Sequence, residues 1–334
     1  MKKKISIGLL LCFSMILSAC TTGSGSNISE KKDNTQSSSN GYPIVVKNYD
    51  FNKEEKDMEF KETPKRVIST NQTTTELLLD LGLEESMVGT SYRDNPILDN
   101  IKEKYDKIPV LSEKYPSKEV VIEKNPDLII GWKSVFADKA LGDVSTWNEK
   151  GVNTFIQRNT VGIDNATVEN VYKDIEDIGK IFNIKDKTDK YIDEMKSKID
   201  KIQNSIKDVK EPVSVLVMEG SEDNKYTTYG NKSLAADMVA KAGGKNLAKE
   251  SGSISVEDIV GLNPDVIVLI NFENQSKDNK DAEALKNHTA LSSVNAIKND
   301  RIIYTPLAEA YAGGARTING IERLAKGFYP EIIK

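Results

Sequence analysis

The chain is short of the residues that build most metal and redox centres: its 334 residues include only 2 Cys and 1 His. Zinc and manganese sites draw several imidazoles or thiolates together with carboxylates. The lone imidazole, His288, lies in the polar run Lys286-Asn287-His288-Thr289 and reads as a surface loop residue. No directly bound metal of that kind is expected, and only Tyr ligation of haem or ferric ion stays open. Catalytic signatures are also missing: there is no GxSxG elbow, P-loop, GxGxxG, HExxH or Cys–His pair in a suitable context. An enzyme is not expected, and a secreted α/β enzyme would have to work through an Asp/Glu pair. Arginine is scarce, with six among the 46 basic residues, so an Arg at a strand end says more than one of the many solvated Lys. The formal charge of −5 argues against a phosphate backbone as partner.

What is present points to export and a large folded body. Lys2, Lys3 and Lys4 precede an apolar stretch, 5–17, too short to span a bilayer comfortably and flanked like a signal segment. Leu17-Ser18-Ala19-Cys20 resembles the bacterial lipobox, which implies removal of residues 1–19 and lipid on the Cys20 sulfur. Cys12 leaves with the signal and Cys20 is then the only thiol, so no disulfide forms. Residues 20–41 are rich in Ser, Gly, Asn and Lys and read as a flexible tether. The remainder, at 38% hydrophobic residues over the chain, suffices for one large core or two ordinary ones. Disorder and a membrane bundle are excluded.

From residue 42 short β-branched runs alternate with amphipathic helical patterns, the grammar of an α/β fold with parallel-rich sheets. Strands are expected at 66–69, 87–90, 127–131 and 153–157, with helices at 74–81 and 117–124 and another ending near Lys150. A second half, 209–334, repeats the pattern with strands at 212–218, 266–271 and 301–304 and helices at 233–241, 255–262 and 316–328. Between the lobe at 42–165 and this one, residues 166–208 carry apolar side chains three and four apart, as helices do. Asn183 is expected to break them, leaving a second piece of roughly 20 residues, about 30 Å long at 1.5 Å per residue. That is long enough to join two lobes.

One segment occurs twice. Ser117-Lys-Glu119-Val-Val121-Ile-Glu-Lys-Asn125-Pro126-Asp127 matches Ser255-Val-Glu257-Asp-Ile259-Val-Gly-Leu-Asn263-Pro264-Asp265 at a constant offset. In each copy Ser caps a helix, Glu sits where the helix dipole favours negative charge, and Asn-Pro-Asp ends the helix before a buried strand.

With these segments, the lipobox and PKRVIST, TTTELLLDLGLEESMVGTSYRD and NPDLIIGW, the chain resembles the helix-linked iron-siderophore and cobalamin binding lipoproteins of ABC importers. The stretch 108–117, IPVLSEKYPS, is also similar to a branch that imports a deazaflavin-cofactor precursor. The resemblance implies two α/β lobes joined by one long spanning helix, a ligand cleft between them and modest closure. It implies a lipid-anchored monomer at the outer face of the cytoplasmic membrane that hands a small-molecule chelate to a permease and its ATPase. Glu119 and Glu257 are the residues that would dock on that permease. No cofactor is implied beyond the carried ligand, a ferric siderophore in preference to cobalamin, haem or the deazaflavin precursor.

Open α/β sheets bind ligands at the carboxyl ends of their strands. The residues after the expected strands are Asn71, Gln72 and Thr73; Tyr92 and Arg93; Trp132 and Phe136; and Arg158. In the second lobe they are Glu219, Asn271, Phe272, Glu309, Tyr311 and Arg316, with Tyr229 at a helix start. Aromatic rings with scattered Arg suit a bulky planar anion, which puts Arg93, Arg158 and Arg316 foremost. Arg93 beside Asp94, Trp132 in the core and Arg316 along a helix are the plainer uses, and Gly313-Gly314 reads as a tight turn rather than an anion cradle.

Overall fold

The computed structural model describes residues 41–220, 226–271 and 280–334. The expected signal segment, most of the tether, Cys20 and Phe272 lie outside them. The first strands, β1 (Ile44–Tyr49) and β2 (Glu55–Phe60), form an antiparallel hairpin. Sequence reasoning missed it because charged residues alternate outward and only Val46, Asn48, Met58 and Phe60 turn inward. Asn48 extends the pairing sideways: its amide donates to the carbonyl of Ile156 and accepts from the same residue's N–H.

The first lobe is built on β3 (Val67–Ser69), β4 (Met87–Ser91), β5 (Val110–Ser112), β6 (Leu128–Gly131) and β7 (Asn153–Ile156), all parallel in the order β5-β4-β3-β6-β7. β6 is wholly buried, as expected for a strand covered on both faces. The second lobe carries β8 (Val213–Gly220), β9 (Tyr226–Thr228), β10 (Gly244–Asn246), β11 (Gly252–Ile254), β12 (Val266–Asn271) and β13 (Ile302–Pro306). Their order is β11-β9-β8-β12-β13, with β10 also on β8. β8, β12 and β13 are parallel, but β9 runs antiparallel to both of its neighbours, β8 and β11, so this sheet is mixed.

Both repeats show why their sequences match. Asn125 and Asn263 adopt left-handed backbone, φ 46° and 44°, a conformation that Asn tolerates at a helix end. The following Asp then staples its strand to a neighbour. Asp127 N–H donates to the Arg66 carbonyl and Asp265 N–H to that of Ser214, each at 3.0 Å. The Asp127 carboxylate accepts the Lys65 and Arg66 N–H groups, while that of Asp265 accepts the Ser214 hydroxyl. Ser117 and Ser255 cap their helices as expected.

The connection is a pair of helices, Val168–Ile181 and Lys185–Ser205, broken at Asn183 with φ 53°. The second has 21 residues. It touches the first lobe through Tyr191, whose hydroxyl donates to Asp80, and the second through Lys198, 3.8 Å from Glu322. The lobes are also joined directly. Arg316 grips Glu76 across the junction with two hydrogen bonds of 2.5 and 2.6 Å, and Gln157 donates to the Gly313 carbonyl at 3.0 Å. One hydrophobic core runs through both lobes and the connection, including Leu77, Ile130, Ile175, Met238 and Ile321.

Candidate functional site

The carboxyl ends of β4, β6 and β8 open onto a cavity of about 950 Å³, the upper part of the range for small-molecule sites. Tyr92 follows β4 with φ 53°, a backbone strain worth about 1–3 kcal/mol for a bulky residue, and such strain gathers at functional sites. Its carbonyl accepts the Gln72 N–H, which helps hold the turn. The Tyr92 ring lies 4.9 Å from Tyr115 and 5.3 Å from Trp132, centroid to centroid. Trp132 meets Tyr311, from the other lobe, edge-on at 5.2 Å. Four rings thus form a continuous apolar wall that crosses from one lobe to the other.

Charge on this wall is uneven. Lys114, Lys118 and Lys139 line the cavity on the first lobe, and the Lys114 ammonium lies 4.7 Å from the Tyr92 centroid. The second lobe contributes Glu219, at the end of β8, whose carboxylate accepts the Tyr229 hydroxyl at 2.9 Å. A second recess of about 920 Å³ meets the first at Glu219, Tyr229 and Tyr311. The Trp132 indole N–H is buried with no hydrogen-bond partner among the described residues. A buried donor left unpaired is costly, and one on a cavity wall suits an acceptor oxygen on a ligand.

Tyr115, Tyr229 and Tyr311 are held as neutral hydroxyls rather than phenolates. Burial pushes the Tyr115 hydroxyl up to about 12, against the opposing hydrogen bond with Ser134. Burial, then the charge of Glu219, raises Tyr229, and burial raises Tyr311. Ferric ion added without a chelator is accordingly expected to give no visible tyrosinate charge-transfer band from pH 6 to 9. A strong band in that range would show phenolate ligation. No group of three or more His, Cys, Asp or Glu able to hold a metal ion occurs among the described residues.

Of the residues anticipated from sequence, Tyr92, Trp132, Glu219, Tyr229 and Tyr311 come together at the cavity. The others are placed elsewhere. Asn71 is fully buried, capping its helix through Thr74 N–H and donating to Gln157; Gln72 bridges Glu76 and Asn95 N–H. Phe136 is core, and Glu309 is buried against Arg323. Asn271 ends β12 away from the cavity lining. Arg158 is taken up by Asp174 and Asp177, each at 2.5 Å, and Arg316 by Glu76. Arg93 is exposed and outside the lining. Gly313 has φ 85° and Gly314 N–H donates to Thr317, so the pair is a turn whose backbone is occupied. His288 precedes a short helical turn, far in sequence from every cavity residue of the first lobe.

Sequence reasoning missed Lys114, Tyr115, Lys118, Ser134 and Lys139. The strand-end rule would have found Lys114 and Tyr115 had β5 been recognised, but it is only three residues long, Val110–Ser112.

The body is thus two α/β lobes with a cavity at their strand ends. The periplasmic binding protein family matches residues 67–308, and the chain belongs to it. The chain is 26% identical over 338 residues, with full coverage of both chains, to an uncharacterised ABC transporter substrate-binding lipoprotein, YvrC, of Bacillus subtilis. It is 28% identical to the petrobactin-binding protein YclQ of the same organism, over 94% of each chain. Among solved structures, a periplasmic binding protein of Veillonella parvula superposes with a TM-score of 0.78 at 29% identity, covering 86% of this chain and 92% of that one.

Proposed function

We propose that this protein is the substrate-binding lipoprotein of an ABC importer, tethered outside the cytoplasmic membrane through Cys20, and that it captures a ferric siderophore and presents it to a permease. The observation that carries this reading is the wall of four aromatic rings edged by three Lys at the carboxyl ends of the strands. Rings stack on the apolar faces of a chelate, and ammonium groups face its anionic oxygens. The likeness to a petrobactin-binding relative along nearly the whole chain supports an iron chelate as the cargo. Function here is capture and release, with no bond made or broken.

Thermal unfolding with a panel of ferric catecholate, ferric hydroxamate, cyanocobalamin and haem tests the reading. A ligand at about a hundredfold its dissociation constant stabilises by roughly 2.7 kcal/mol, which moves the midpoint by several degrees. A shift with a ferric chelate supports the proposal; a shift with cyanocobalamin or haem alone replaces its cargo, and no shift at all refutes it.

Docking falls to Glu119 and Glu257, both exposed in the first turn of their helices. Hydrogen bonds from its own backbone N–H and from Ser117 hold the Glu119 carboxyl below the usual range, so it stays charged. Glu257→Lys is expected to cut cellular uptake at least tenfold, roughly 1.4 kcal/mol, while purified protein keeps its chelate affinity. Uptake that survives this reversal together with Glu119→Lys would remove the docking role. Glu119 also borders the cavity, so its variant is expected to alter affinity as well.

A further inference from the structure

Glu219 is the acid that the second lobe brings to the cavity, opposite a first-lobe side that carries three Lys and Glu119. It closes the carboxyl end of β8, faces the same cavity as Lys114, Lys118 and Lys139, and sits where the two recesses meet. One carboxylate oxygen, Oε2, accepts the Tyr229 hydroxyl. Burial and the Glu219 charge both keep that hydroxyl protonated, so Tyr229 remains a donor that orients the carboxylate. No Lys or Arg among the described residues forms an ion pair with Glu219, although Lys173 and Lys232 line the adjoining recess. A partly buried carboxylate oriented by Tyr229, with one oxygen uncommitted and no cation paired to it among the described residues, is a site for a cation brought by the ligand.

We propose that Glu219 receives a protonated amine carried by the ligand, so that the cargo is a charge-asymmetric chelate: anionic chelating oxygens toward the three Lys, a cationic pendant toward Glu219. This rests on reading the cleft as a chelate site and adds which chelates it selects. The recess beyond Glu219, lined by Asn165, Asn170 and Thr227 among others, gives such an arm room to extend past the metal-binding part. The Lys and the Glu then lie on opposite lobes, so a ligand with both charges spans the cleft, and one lacking the amine leaves the second Glu219 oxygen without a cation.

The test uses matched probes on the purified protein: a ferric trihydroxamate with a free terminal amine, its N-acetyl form and its N,N-dimethyl form, and the same three forms of an amine-bearing ferric catecholate. Acetylation removes the charge, whereas dimethylation keeps it at comparable bulk. In at least one series the free amine and the dimethyl form are expected to bind about tenfold or more tighter than the acetyl form, the range of a charge-assisted hydrogen bond. In Glu219→Gln, which retains an oxygen for Tyr229, that ratio should fall to about one. Equal binding of all three forms in wild type, or a ratio that persists in Glu219→Gln, overturns the role of Glu219 and leaves chelate capture standing. Absence of binding in both series, with the chelate panel also silent, overturns the chelate reading itself and this inference with it.

Discussion

Arg316→Met is expected to destabilise the protein by about 3–5 kcal/mol, the cost of stranding a buried charge. Its partner Glu76 is fully buried and makes both strong contacts with Arg316, plus one from Gln72. Arg316 also donates to the Pro96 carbonyl, so the guanidinium ties a helix of the second lobe to two segments of the first. Removing it leaves a carboxylate in a site that water does not reach. The unfolding midpoint should drop by roughly 5–10 °C, given a few degrees per kcal/mol for a chain of this size. Glu76→Gln in the same chain removes the stranded charge and should recover at least half of the loss. An Arg316→Met protein as stable as wild type, measured by denaturant and by heat, would show that the pair holds nothing together.

Trp132→Ala is expected to weaken ligand binding by about 2–4 kcal/mol, some 30- to 1000-fold, as truncation of a central aromatic anchor does. Trp132 is the ring through which the Tyr92–Tyr115 group reaches Tyr311 on the other lobe. It is 6% exposed, so the truncation also costs packing. Trp132→Phe is the milder variant: it keeps a six-membered aromatic face and removes the unpartnered N–H together with the rest of the five-membered ring. That variant should cost about 1–2 kcal/mol of stability, less than Trp132→Ala, and lose about two- to tenfold in affinity, the worth of one hydrogen bond. Calorimetric titration reads both. Unchanged affinity in Trp132→Ala would place the ligand away from this wall.

Much of the framework was legible because it follows from local rules that repeat. Apolar spacing marked the two connecting helices and Asn183 the break between them, since a left-handed residue stops a helix regardless of what surrounds it. The twin Asn-Pro-Asp segments revealed two related lobes because the staple they make needs those residues in each. The hairpin β1–β2 was hidden because alternate residues bear charge and half of each strand faces water.

The site was legible only in part, for a different reason. Strand ends show which residues face the cleft side, but not where the lobes press together. Asn71, Gln72 and Arg316 lie at strand or helix ends and are consumed by the lobe junction. Arg158 stands three residues from nothing acidic in sequence, yet Asp174 and Asp177, one helical turn apart, arrive beside it through the fold. Arg158 and Arg316 are therefore taken up by internal ion pairs, and Lys114, Lys118 and Lys139 line the cavity instead.

One core runs beneath both lobes, with a second cluster confined to the second lobe, and the shared one bears on when the work of ordering the cleft is done. A protein whose halves close like a jaw must order its walls around each ligand that arrives. Here the walls are set in place as the chain folds, and every later capture begins from that arrangement. If the shared core holds the lobes as they stand, affinity tracks how well a ligand matches a standing mould, with little entropy of closure to offset, and small-angle scattering of loaded and empty protein is expected to give nearly the same curve.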